Sequence, residues 1–81
     1  MPLYYFRTLE QNGHQEISEI AVELRDKAAA VAEARLVLAE MAGDGLPDSS
    51  ISMMAVEVLD EHQRPLTEVR LTVEDIPKPH S

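Results

Sequence analysis

Apolar and polar positions alternate near both ends of the chain, and in the middle they recur at helical spacing. In "LYYFRTL", residues 3 to 9, alternation puts Leu3, Tyr5, Arg7 and Leu9 on one face and Tyr4, Phe6 and Thr8 on the other. Arg7 marks its own face as wet, so Tyr4 and Phe6 are expected to be the more buried pair. Asn12-Gly13 is a turn signal. Residues 14 to 19 are polar, and then Ile20, Val22 and Leu24 share one side at period 2. That spacing predicts a short second strand, or an extended arm, over 20–24.

Asp26 stands where a helix N-cap belongs, because its carboxylate can accept from the free amides of the first turn. "KAAAVAEARLVLAEMA" follows without proline or glycine, so helix propensity is high throughout. Gly43 is a natural residue to follow the C-cap, and Gly45 and Pro47 bar continuation. A helix over 27–42 is predicted. At about 100° per residue, Ala28, Val31, Ala34, Leu38, Met41 and Ala42 form one stripe. Glu33 and Glu40 lie nearly opposite, and Leu36 and Val37 fall on the flanks. Covering one sheet face needs only a stripe of about 100°, and this helix offers more. Arg35 lies within the apolar arc and has to snorkel.

After the loop "GDGLPDSS", a third strand is predicted over 51–59. It puts Met54, Val56 and Val58 on one face and Met53, Ala55, Glu57 and Leu59 on the other. A fourth strand over 66–73 alternates Val69, Leu71 and Val73 with Glu68, Arg70 and Thr72. The two form a hairpin in which Val56 and Val58 lie on the same side as Val69 and Leu71, since a one-residue slip would expose all four. Its tip, His62-Gln63, is poor for a tight two-residue turn, which favours Asn-Gly. Pro65 suits a loop flank, and a loop of four to six residues is the alternative. The pattern as a whole predicts an α+β fold of order β-β-α-β-β, with one helix packed across one face of a small antiparallel sheet. Residues 1–75 make a single domain, and "IPKPHS", with its two prolines, reads as a tail over 76–81.

Composition narrows the function classes. Seven basic residues against 15 acidic ones give a formal net charge of −8. Phosphate backbones demand Lys and Arg to replace condensed counterions, so nucleic acid is an unsuitable partner. Anionic membrane surfaces are disfavoured for the same reason. Cysteine is absent, which removes disulfides and thiolate metal sites and fits a reducing cytosol. "MPLYYFRTLEQ" lacks the basic and apolar regions of a signal peptide, and no apolar run approaches the roughly 20 residues that span a bilayer. A cytoplasmic protein is expected.

The whole chain resembles a family of short bacterial proteins, domain of unknown function 6894, frequent among soil alphaproteobacteria. The resemblance rests on the aromatic cluster "YYF" at 4 to 6, on "VELRD" at 22 to 26 leading into an alanine-rich helix, and on the hairpin "VLDEHQRPL" at 58 to 66. It covers residues 2 to 73. Arg7 stands where the family usually has His or Asp, and Gln63 replaces a turn glycine. The resemblance implies an α+β fold of this length and no activity.

Candidate chemistry is sparse. His14 falls in a polar loop, His62 at the hairpin tip and His80 in the tail, so none sits on a rigid element that could converge ligands. "DEH" at 60 to 62 holds two carboxylates and an imidazole, but a single turn would have to gather them. Glu33 and Glu40 are two turns apart, roughly 10 Å, too far to share a proton. Ser49-Ser50 belongs to a loop, and "GDG" at 43 to 45 follows a helix and so offers carbonyls to a phosphate. No enzyme activity, cofactor or metal is expected.

What remains is apolar surface. Met53, Ala55 and Leu59 on the outer face of the third strand, with Leu36 and Val37 off the helix's core stripe, exceed what one helix on a small sheet can cover. A non-enzymatic protein-interaction module that forms a homodimer through these residues is the leading expectation. Burial of the sheet's outer face is favoured over helix pairing, and addition at an open strand edge is a further route. The alternative is a small-molecule-binding or regulatory domain, with a pocket between helix and sheet lined by Tyr4 or Tyr5, Arg7 and methionines. An acidic mimic of nucleic acid is a third reading, from the six acids and no base between Arg35 and Arg64.

Overall fold

The computed structural model describes residues 1–11, 15–45 and 51–79. The expected Asn12-Gly13 turn, His14, Pro47, Ser49-Ser50 and His80 lie outside the described residues. Four strands and one helix follow in the expected order: β1 (Leu3–Gln11), β2 (Gln15–Glu23), α1 (Lys27–Gly43), β3 (Ile51–Leu59) and β4 (Pro65–Glu74). They make one sheet of order β2-β1-β3-β4 in which every neighbouring pair is antiparallel. β2 and β3 therefore run parallel with β1 between them, and α1 connects them. The helix packs chiefly on β3 and β4.

Side-chain alternation sorts the core. Tyr4, Phe6, Val56 and Val58 point to the helix side and are buried together with Ala30 and Ala34. Phe6 sits opposite Val58 in the β1–β3 ladder, and Val56 sits opposite Val69 in β3–β4. Burying an aromatic side chain such as Phe6 contributes roughly 1.5–3 kcal/mol relative to leaving it exposed. The expected Tyr4–Phe6 pair is thus the core contribution of β1. Of the residues expected on the core faces, Val56 and Val58 of the hairpin are buried, and Val69 and Leu71 of the hairpin and Val31 and Leu38 of the helix are half-buried.

Three local features differ from the sequence reading. First, β2 begins at Gln15 and not near Ile20, because it is an edge strand paired by polar partners. Thr8 lies opposite Ser18 with their hydroxyls in contact, and Arg7 lies opposite Glu19. A strand held this way needs no apolar alternation. One further rung, Leu24 N to Pro2 O at 3.1 Å, extends the ladder past its end.

Second, the helix is rotated. Its sheet-facing residues are Ala30, Ala34, Val37, Leu38 and Met41, while Ala28 is exposed. This face lies roughly 60° around the axis from the expected stripe. The two fully buried positions are both alanines, which lets the helix backbone approach β3 closely. Asp26 caps the start as expected, accepting from Ala29 N at 2.8 Å. The helix runs through Gly43 to a cap at Asp44, and the glycine in the left-handed region is Gly45, with φ 127°.

Third, the β3–β4 tip is a three-residue loop, Glu61-His62-Gln63. Gln63 N donates to Asp60 O at 2.9 Å, which closes a β-turn, and Gln63 itself has φ 62°. A type I turn followed by a left-handed residue is the usual three-residue hairpin connection. The left-handed position is the one where glycine would carry no Cβ penalty. A bulge follows: Leu59 pairs with Pro65 and Val58 with Thr67, so Leu66 is the extra residue. The bulge lets Leu66 pack on the core from the helix side. Beyond Glu74 the residues to Pro79 carry no regular structure and are exposed.

Candidate functional site

The sheet has two unlike faces, and adjacent strand residues are divided between them. Tyr4 lies under the helix, whereas Tyr5 and Arg7 lie on the far face. Tyr4 therefore does not share a face with Arg7, whereas Tyr5, the other tyrosine considered for such a pocket, does, on the side away from the helix. The far face is crossed by charge. Arg7 reaches Glu19 on β2 at 3.2 Å and Glu57 on β3 at 3.3 Å. Glu57 lies directly opposite Glu68, and Glu68 is held by Arg70 through a bond of 2.7 Å from Nε. Each of the two facing acids thus has its own arginine. Partly exposed pairs of this kind contribute little to stability, but they keep the face wet. A shallow depression of about 180 Å³ lies among Arg7, Leu9, Ala55, Glu57 and Glu68.

The five candidate interface residues separate. Ala55 and Leu59 are each only 1% exposed within one chain, and Met53 is half-buried. Ala55 and Leu59 therefore have almost no surface left for a partner. Val37 packs into the core, and Leu36 is 59% exposed on the helix. No common patch gathers these five. Leu36 stands alone, and a single exposed leucine is ordinary.

The open apolar surface lies elsewhere, along the flank of α1 that overhangs β4. A groove of about 440 Å³ runs there, lined by Arg35, Leu38, Ala39, Ala42, Val69, Arg70 and Leu71. It arises from the helix rotation. Leu38 and Ala42 belong to the stripe expected to be core, and the turn of the helix leaves them on the groove wall. Arg35, expected within the apolar arc, is exposed and rims the groove. β4 beside it is the end strand of the sheet, so its outward backbone groups have no strand partner among the described residues. The sequence signal for this surface was the surplus width of the apolar arc on α1. Its location depended on the strand order, which alternation does not reveal.

The far-face depression gathers Arg7, Glu57 and Glu68, whereas the charged residues of the groove are the arginines Arg35 and Arg70. Among the described residues, no group of three or more His, Asp or Glu side chains is placed to hold a metal ion. The "DEH" residues divide their tasks: Asp60 bonds the turn backbone, while Glu61 and His62 are exposed. The Asp60 carboxyl is held below its usual range, mainly by the backbone hydrogen bond from Arg64 N, against a smaller upward push from burial. The His62 amide and the Arg64 guanidinium add to the lowering. Ser52 is buried beside Val73, and its hydroxyl has no hydrogen-bond partner among the described residues. No helix among the described residues is long and apolar enough to cross a membrane.

The model of the family described as Domain of unknown function (DUF6894) matches residues 3–72, from the start of β1 nearly to the end of β4. The chain belongs to this family. The DUF6894 match takes in all five elements, so the groove and the β4 edge both lie within the family's domain. No curated protein and no solved structure matches the chain.

Proposed function

We propose that the protein is a small non-enzymatic interaction module that pairs with a second copy of itself, in a cytoplasmic setting suited to its cysteine-free sequence. The observation that carries this reading is the apolar groove between α1 and β4, the end strand of the sheet. A chain of this length buries only about 60–65% of its unfolded surface, so an added layer from a partner stabilises it. Two-fold pairing is the commonest closed way to supply that layer. The pairing surface proposed is the α1–β4 side, in place of the far face, because the far face carries the Glu19–Arg7–Glu57 pairs and has Ala55 and Leu59 already covered.

The other free edge, β2, is a poorer candidate. Its sequence "QEISEIAVE" holds three acids and no base, so a second copy laid against it would meet like charge. The test is light scattering on the purified protein over a wide range of concentration. A mass of twice the chain, approached as concentration rises, supports the proposal. A monomer at the highest concentration reached contradicts it.

A further inference from the structure

We propose that two copies join by antiparallel addition of β4 to β4, with the two-fold axis at Val69, so that Glu68 of each chain faces Arg70 of the other. The inference rests on the self-association proposed above and adds its register. A two-fold axis perpendicular to a continuous sheet keeps each face of one copy continuous with the same face of the other. Only registers that set a residue against its own counterpart meet this condition.

Charge then selects among the registers centred on the middle of β4, "PLTEVRLTVE". Centred on Glu68 or on Arg70, the strand sets that charge against its own copy. Centred on Thr67, it sets Arg70 against Arg64, and centred on Leu71, it sets Glu68 against Glu74. Centred on Val69, it sets Glu68 against Arg70 twice over and Arg64 against Glu74 at the strand ends. Like charges directly opposite in a ladder are destabilising, and opposite charges stabilise it. Val69 is thus the one centre from Thr67 to Leu71 at which every charged residue meets its opposite.

The same register serves the groove. On the helix side it sets Val69 against Val69 of the second copy and Leu71 against Thr67. Val69 and Leu71 form the groove floor, with Leu38, Ala39 and Ala42 above them. The joined sheet brings the α1 flank of each chain over the seam, so both grooves close on each other. Arg70 already bonds Glu68 within its own chain, so these two side chains are in place and need only be shared across the seam.

The test uses the full chain. Glu68→Arg and Arg70→Glu variants are prepared separately and checked for folding by circular dichroism. Each alone is expected to dimerise roughly tenfold more weakly than wild type, or worse, because like charges then face each other at the seam. An equimolar mixture is expected to form a heterodimer, since each opposing pair is again one acid and one base. Mixing cannot mend a pair within one chain, so recovery in the mixture reports contacts between chains.

A second measurement is independent of charge. The chain has no cysteine, so Val69→Cys introduces a single thiol. It is expected to form a covalent dimer on mild oxidation, whereas Leu71→Cys alone is not. If wild type dimerises while the mixture fails to recover and Val69→Cys does not cross-link, the register is overturned and self-association stands. If wild type is monomeric, both proposals fall.

Discussion

The Asp60 carboxylate holds Arg64 twice, accepting its backbone amide at 2.9 Å and its Nε at 3.1 Å. A third bond, from His62 N at 2.8 Å, completes the clasp around the hairpin tip. These bonds account for a turn that has no glycine. Asp at the first position of a type I turn satisfies amides that would otherwise be open. It also fixes the loop that aligns β4 with β3, and hence the edge on which the proposed pairing depends.

The lowered Asp60 pKa carries a pH signature. The folded state holds this proton less tightly than the unfolded chain does. The stabilisation is therefore complete above the ordinary carboxylate range and is lost as pH falls through the depressed folded value. Asp60→Asn removes the charge and one acceptor. Thermal melts should show the variant clearly less stable than wild type near pH 7, with the gap closing as pH falls through the depressed folded value. A gap that is constant across this range would mean that the charge contributes nothing.

Gln63 occupies the left-handed region at φ 62°. A side chain there costs roughly 1–2 kcal/mol, and glycine removes this at an entropic cost of about 0.4–1 kcal/mol in the unfolded chain. Gln63→Gly is expected to stabilise by about 0.5–1 kcal/mol, read as a rise in denaturation midpoint at unchanged slope. A lower midpoint would show that Gln63 makes a compensating contact.

The rotation of α1 is tested by two alanines. Ala34 is buried against the sheet, and Ala32 is exposed on the opposite side. Ala34→Leu should cost about 1–3 kcal/mol by overpacking, and Ala32→Leu should stay within about 0.5 kcal/mol of wild type. Equal effects would place the helix in another rotation.

Leu59 is 1% exposed on the face away from the helix. Leu59→Glu places a carboxylate at a position closed to water, and should cost at least about 3 kcal/mol. The expected result is lost cooperative unfolding, not a folded monomer. A folded, stable variant would show that the far face is open.

Sequence periodicity carries the element order, the Asp26 cap, the burial of Tyr4 and Phe6, and the facing of Val56 and Val69. Each follows from local alternation or a local cap. The rotation of α1 was not legible, because apolar residues run most of the way round it and several arcs would serve equally. The true arc is chosen by the two small alanines that let the helix approach β3. The start of β2 was hidden because Ser18 and Glu19 pair with polar partners on β1 and leave no alternation. The hairpin tip was obscured because Asp60 performs, through its side chain, the work expected of a turn glycine. The groove needed the strand order, and pairing between distant segments such as β1 and β3 leaves no local mark.

The most direct test of the proposed β4 pairing is amide hydrogen exchange at two protein concentrations, one dilute and one well above the dimer midpoint. The account predicts that outward amides of β4, between Thr67 and Thr72, gain protection at the higher concentration while β2 is unchanged. Protection gained on β2, or on neither edge, would contradict it.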